Sequence, residues 1–240
     1  MFKKDFPLIK NHPEILYLDN AASTQKPEIV IEWVDDYLRN EYANIHRGNY
    51  LLSEKSDEHY ERSKELLAEL LNCKSKEIAY TSNANSAINL FAQTLANSWV
   101  IWEGDSVLIG IGDHHADILP WMSLSKHFWF RVKFFWLKDD FTVDYDDLKD
   151  QYTKDVKVVC CWYVSNVTWW IVDVKKIKSF LRKDTLFFID ASQAVPNLVI
   201  DFEDIWCDAL ALTAHKMMAY TWLWALVMKY DLLKELKPYD

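Results

Sequence analysis

Five short apolar runs recur along the chain: Ser106-Val107-Leu108-Ile109, Val156-Lys157-Val158-Val159-Cys160-Cys161, Leu186-Phe187-Phe188-Ile189, Ala209-Leu210-Ala211-Leu212 and Ala225-Leu226-Val227-Met228. They are too short for core helices and mostly lack polar alternation, which is how a strand covered on both faces reads. Helical patterns separate them, over Ser86 to Ala96, from the double histidine at 114 and 115 toward Phe128, and over Val174 to Leu181. With two further strands, Glu77 to Thr81 and Arg131 to Phe135, the alternation predicts an α/β fold. Its core is a mostly parallel seven-stranded sheet with helices on both faces, an α/β/α sandwich. Such a sheet binds ligands beyond the carboxyl ends of its strands.

Ahead of the sheet, residues 1–15 read as an N-terminal arm and residues 16–240 as one large domain. Ile15 to Leu18 leads into an Asp19-Asn20-Ala21-Ala22 turn. Pro27 opens a helix through Leu38, where its missing donor costs little. Ser53 to Leu71 is an amphipathic helix whose Glu and Lys residues form a solvated face.

The net charge of −9 argues against nucleic acid or an anionic membrane as the main partner. No apolar run is long enough to span a bilayer, and Met1 to Pro7 lacks a signal-peptide core, so a cytoplasmic protein is expected. The four cysteines, Cys73, Cys160, Cys161 and Cys207, show no CxxC spacing, so neither a disulfide framework nor a zinc site is expected. Cys160 and Cys161 read as packing residues of a core strand.

The chemistry concentrates at two strand ends. Leu186 to Ile189 ends in Asp190-Ala191-Ser192-Gln193, and Ala209 to Leu212 runs into Thr213-Ala214-His215-Lys216. A lysine at a strand-to-loop junction, behind hydroxyl and imidazole donors and near a strand-terminal aspartate, suits pyridoxal 5'-phosphate. The amine condenses with the aldehyde, and the carboxylate pairs with the pyridinium nitrogen.

In that order, Asp190-Ala191-Ser192-Gln193-Ala194 and His215-Lys216 resemble the class V aminotransferase superfamily of fold-type I pyridoxal phosphate enzymes. The segments Leu18 to Pro27, Ala43 to Gly48 and His114 to Trp121 narrow the likeness to group II cysteine desulfurases and selenocysteine lyases. The resemblance implies a pyridoxal-phosphate large domain that removes sulfur from L-cysteine. The products are L-alanine and a persulfide for iron–sulfur cluster assembly. Lys216 would be the Schiff-base lysine and general base, and His114 the imidazole that stacks on the ring and relays protons. Asp190, Gln193 and Asn166 would contact the ring. Thr213, His215 and the Asn83-Ala84-Asn85 turn would hold the phosphate at a helix N-terminus. Ala21, Ala22, His46, Arg47 and Asn166 would edge the substrate site, although Arg47 could equally serve a dimer contact. A homodimer and a sulfur-acceptor protein follow from the same resemblance. The alternatives are a selenocysteine lyase acting on L-selenocysteine, an aminotransferase, or a non-catalytic cofactor-binding fragment.

Two departures stand out. Ala84 and Asn85 replace the small hydroxyl residues usual at the phosphate turn, and Ala84 offers only its backbone. The catalytic cysteine and the carboxylate-gripping arginine of such enzymes lie beyond Asp240, so the C-terminal small domain is expected to be absent and the enzyme incomplete.

The chain also carries twelve tryptophans against four glycines, the reverse of ordinary usage. Trp129, Trp136, Trp162, Trp169, Trp170, Trp206, Trp222 and Trp224 fall where glycine-like turns are expected, whereas Trp121 matches a true family tryptophan. This pattern suggests a gene in which UGA specifies glycine rather than tryptophan.

Overall fold

The computed structural model describes residues 3–82, 84–221 and 223–238, with backbone alone for residues 84 and 85. In chain order the elements are α1 (Pro7–Asn11), α2 (Glu28–Asn40), α3 (Leu51–Leu71), β1 (Ile78–Thr81), α4 (Ala84–Asn97), β2 (Ser106–Gly110), α5 (His115–Phe128), β3 (Arg131–Phe135), α6 (Tyr145–Gln151), β4 (Val156–Trp162), α7 (Val174–Phe180), β5 (Leu186–Asp190), α8 (Phe202–Ile205), β6 (Ala209–Thr213), β7 (Trp224–Met228) and α9 (Tyr230–Glu235). All seven expected strands form one sheet, in the order β1-β7-β6-β5-β4-β2-β3. β2 through β6 run parallel to one another, and β7 is antiparallel to both β1 and β6.

Side-chain alternation along the strands splits the core into two layers. Val107, Ile109, Val158, Cys160, Phe188, Ala209, Ala211, Leu226 and Met228 pack on one face with Phe91 of α4 and Trp121 of α5. Leu108, Val159, Cys161, Phe187, Ile189, Leu210, Leu212 and Val227 pack on the other with Ile177 of α7 and Phe202 of α8. Adjacent Cys160 and Cys161 therefore face opposite layers. Burial raises both thiol pKa values well above the ordinary thiol range, as suits packing residues.

The parallel strands end together at one rim. Asp190 closes β5, Thr213 closes β6 and Trp162 closes β4, with Trp162 beside Asp190 in register. β7 begins at this rim because it runs the other way. Its first residue, Trp224, is the register partner of Thr81 at the end of β1 and of Thr213.

Four tryptophans sit in left-handed backbone: Trp99 (φ 60°), Trp129 (φ 55°), Trp169 (φ 62°) and Trp206 (φ 59°). They make up half of the eight described non-glycine residues with positive φ. Trp129 and Trp206 are the C-caps of α5 and α8. Trp99 follows α4 in a Schellman motif, its amide donating to the Ala96 carbonyl and the Val100 amide to the Leu95 carbonyl. Glycine is the usual occupant of such positions, because a Cβ there costs about 1–2 kcal/mol.

The expectation held at positions 129, 169 and 206, and position 99 adds a fourth. It fails at positions 136, 162, 170 and 224, whose φ is not positive. Trp162 is a buried strand residue: a Cβ on Gly110 would collide with its indole, and one on Gly112 would come within 3.0 Å. Those two glycines make the room that this indole occupies. Trp222 lies outside the described residues.

Candidate active site

Lys216 ends a 3-10 turn, Ala214–Lys216, directly after β6. The N-terminal loop clasps this turn. The Thr24 amide and hydroxyl both donate to the His215 carbonyl, at 3.0 and 2.8 Å, and Lys26 Nζ donates to the same oxygen at 3.2 Å. The Met218 amide donates back to the Thr24 hydroxyl at 2.7 Å. Burial lowers the Lys216 pKa, and the carboxylates of Asp190 and Asp117 partly offset it. A fraction of neutral amine larger than an ordinary lysine's is the form that attacks a carbonyl or takes a proton.

Asp190 is oriented by the Ser192 amide, which donates to its Oδ1 at 2.8 Å. His114 is the N-cap of α5, and its Nδ1 accepts from the Ala116 amide at 3.2 Å. His114, Asn166, Asp190, Gln193 and Lys216 line one small crevice with Trp162 and Trp224. The side chains singled out in the sequence as catalytic and ring-binding thus converge at the strand rim.

Gln193, besides lining the crevice, donates from Nε2 to the Ala21 carbonyl at 2.7 Å, tying β5's end to the N-terminal loop. Ala21 and Ala22 belong to that loop. Thr213 and His215 are mutually bonded, Oγ1 to Nδ1 at 3.0 Å. Burial, together with the charges of Lys216 and Lys26, lowers the His215 pKa. Asn83 lies outside the described residues. Ala84 and Asn85 open α4, a helix N-terminus at the end of β1.

His46 and Arg47 are not part of the crevice. The amide of His46 (φ 69°) donates to Asp57 Oδ1 at 2.6 Å, its ring packs edge-on against Tyr60 of α3, and Arg47 is exposed. His115 stands one residue behind His114, with ring centres 6.2 Å apart.

Sequence reasoning missed Asp113 and Asp117. Both are buried, neither Asp117 carboxyl oxygen has a partner, and Asp113 uses only Oδ2, which accepts from the Gly110 amide at 3.0 Å. Burial first and the Asp190 charge second hold both carboxyls well above the usual carboxylate range. Asp113 and Asp117 are two buried acids whose ionisation is opposed by burial and by the Asp190 charge. The available signal was an aspartate one turn into a helix whose neighbours are apolar, which reads equally as a favourable charge at a helix N-terminus.

The chain belongs to the class V aminotransferase family, whose model matches residues 16–240. Class V aminotransferases and cysteine desulfurases depend on pyridoxal phosphate. Its relatives include a probable cysteine desulfurase of Aeropyrum pernix, 35% identical over 98% of this chain and 57% of that protein. A cysteine desulfurase of Wigglesworthia glossinidia brevipalpis is 31% identical over 99% of this chain and 59% of its own length. The apo cysteine desulfurase of Thermococcus onnurineus superposes with a TM-score of 0.91 at 28% identity, covering 99% of this chain and 58% of that one. The chain thus spans somewhat under two thirds of the relatives it matches.

The donor set fits this cofactor: an amine, a strand-terminal carboxylate, an imidazole at the N-cap of α5, and a hydroxyl and a second imidazole at the end of β6. The space does not. The crevice that Lys216, Asp190 and His114 share has a volume of about 60 Å³, roughly two waters' worth, whereas small-molecule sites run to several hundred Å³. A second cavity of about 420 Å³ shares Lys216 and Gln193 with the crevice and is otherwise bounded by Phe6, Tyr17, Thr24, Trp169 and Met218, without Asp190 or His114 in its lining. Among the described residues, no group of three or more His, Cys, Asp or Glu could hold a metal, and no helix is long and apolar enough to cross a membrane.

Proposed function

We propose that this chain is the cofactor-binding large domain of a cysteine desulfurase. L-cysteine is the substrate, L-alanine the product, and the sulfur leaves as a persulfide for iron–sulfur cluster assembly. One observation carries this: a lysine amine with a burial-lowered pKa stands at the end of β6, across from a strand-terminal aspartate, inside a crevice shared with an N-cap histidine. Pyridoxal phosphate, where bound, supplies the electron sink that an amino-acid substrate needs.

Lys216 is the amine that anchors an aldehyde and afterwards moves the α-proton. Asp190 presents negative charge at a fixed position, held by the Ser192 amide. His114, with Nδ1 engaged, keeps Nε2 for proton exchange at the crevice mouth. Thr213 and His215, at the end of β6, are the anion donors.

The exposed apolar side chains of the N-terminal segments, Leu16, Leu18, Ile29 and Trp33 among them, support a homodimer. The absence of a long apolar helix among the described residues and the net charge are compatible with a cytoplasmic enzyme. The sulfur acceptor is a protein.

The test is L-alanine release from L-cysteine and from L-selenocysteine, with pyridoxal phosphate and a thiol, by the gene's product isolated from its own cells. Alanine from cysteine supports the proposal. Alanine from selenocysteine alone replaces it with a lyase, amino-group exchange with a keto acid replaces it with an aminotransferase, and no turnover with cofactor bound replaces it with a binding fragment.

A further inference from the structure

We infer that residue 224 is glycine in the protein its cell makes, and that a glycine there opens the crevice to pyridoxal phosphate. This rests on the class V reading of the site. Residue 224 is placed by the sheet, since it is the register partner of Thr81 on one side and of Thr213 on the other. Thr81 leads directly into the turn before α4. Thr213 leads into His215 and Lys216. Any side chain at 224 therefore stands between the two halves of the anion-binding rim. The indole of Trp224 lies with its ring centre 4.8 Å from that of His215 and lines the same 60 Å³ crevice as Lys216 and Asp190. An indole is bulkier than the pyridine ring that this site is built to hold.

The backbone supplies independent support. Trp99, Trp129, Trp169 and Trp206 hold left-handed φ at turns and helix ends, where a residue without Cβ is the low-energy choice. Their indoles gain little in return, being 64, 70, 55 and 66% exposed. Trp162 and Trp121 are different: both are buried, and Gly110 and Gly112 are shaped around the first. Six of the tryptophans thus fall into two classes: Trp121 and Trp162, for which the fold has made room, and Trp99, Trp129, Trp169 and Trp206, at positions that call for glycine. A UGA codon specifying glycine in the source organism produces the second class without touching the first.

Peptides of the protein isolated from its own cells decide the identity. Those spanning His127 to Arg131 and Met217 to Lys229 are expected to have the masses for glycine at 129 and 224, and the tryptophan masses at both would overturn the inference. The crevice is decided separately by titrating pyridoxal phosphate into the chain as written, Trp224→Gly and Trp224→Ala, followed by absorbance and by quenching of intrinsic fluorescence. Circular dichroism establishes that each is folded.

Trp224→Gly is expected to bind roughly tenfold or more tighter than the parent, with Trp224→Ala between them. Trp129→Gly, remote from the crevice, is expected to leave binding unchanged. Equal binding by parent and Trp224→Gly overturns the inference while leaving the class V reading in place. Glycine in the native peptide with no binding by either chain overturns both the opening of the crevice and the cofactor reading.

Discussion

Thr24 and His215, 191 residues apart, are joined by two hydrogen bonds onto one carbonyl oxygen, and the Thr24 hydroxyl also accepts from the Met218 amide. The turn that carries Lys216 is therefore gripped on both sides by a single residue of the N-terminal loop. Thr24→Val keeps the β-branched shape and removes both side-chain bonds. It is expected to cost about 1–3 kcal/mol in urea unfolding, and Thr24→Ser is expected to restore most of it. Equal stability of the valine variant and the parent would show that the clasp contributes nothing.

Lys216 makes stability depend on pH. Its folded-state pKa lies below the ordinary 10.5 because of burial. Below that lowered value the amine is charged in both states and its burial penalty is fully present. Between it and 10.5 the unfolded chain holds the extra proton, so stability rises with pH. Lys216→Met is expected to unfold at a higher urea concentration than the parent near pH 7, with the gap closing as pH approaches 10. A gap independent of pH would contradict the burial-lowered amine.

The carboxyl of Asp117 predicts the opposite slope. Its folded-state pKa is raised above 3.8 by burial and by Asp190. At pH 3 the acid is neutral in both states, and as pH rises the unfolded chain ionises first, so stability is lost across the window above 3.8. Asp117→Asn is expected to raise the urea midpoint at pH 7 and to change it little near pH 3. A lowered midpoint at pH 7 would mean that the negative charge itself is needed there.

At a helix end, Trp206→Gly is expected to stabilise by about 1 kcal/mol, because it relieves a left-handed φ at an exposed site. Trp33 is the contrasting case, an exposed residue inside α2 that stacks on Tyr37. Trp33→Gly is expected to destabilise by about 1 kcal/mol, since glycine weakens a helix interior. Thermal midpoints moving in the same direction for both would contradict the division of the tryptophans into two classes.

The sheet was legible because its strands are nearly continuous apolar runs, and Arg131 to Phe135 matched its strand to the residue. The short helices α6 and α8 were not read: seven and four residues carry too little periodicity, and their caps, Asp144 and Asp201, sit among other acids. Lys216, Asp190 and His114 were legible from their place after strands. Asp113 and Asp117 were not, because whether an acid beside a histidine is solvated or sealed depends on what α5 packs against. Trp99 was missed because Asn97-Ser98-Trp99-Val100 looks like a helix ending only once the Schellman hydrogen bonds are seen. Trp162 was misread because its partners, Gly110 and Gly112, lie fifty residues away in sequence and meet it only in the folded sheet.

The most direct measurement is a map of where pyridoxal phosphate attaches. The Trp224→Gly chain is incubated with the cofactor, reduced with borohydride, digested and sequenced by mass spectrometry, beside the same chain carrying Lys216→Ala. The label is expected on Lys216 alone and to vanish in the double variant. Label on Lys26, the other amine whose pKa burial lowers, or label persisting without Lys216, would contradict the assignment of the site.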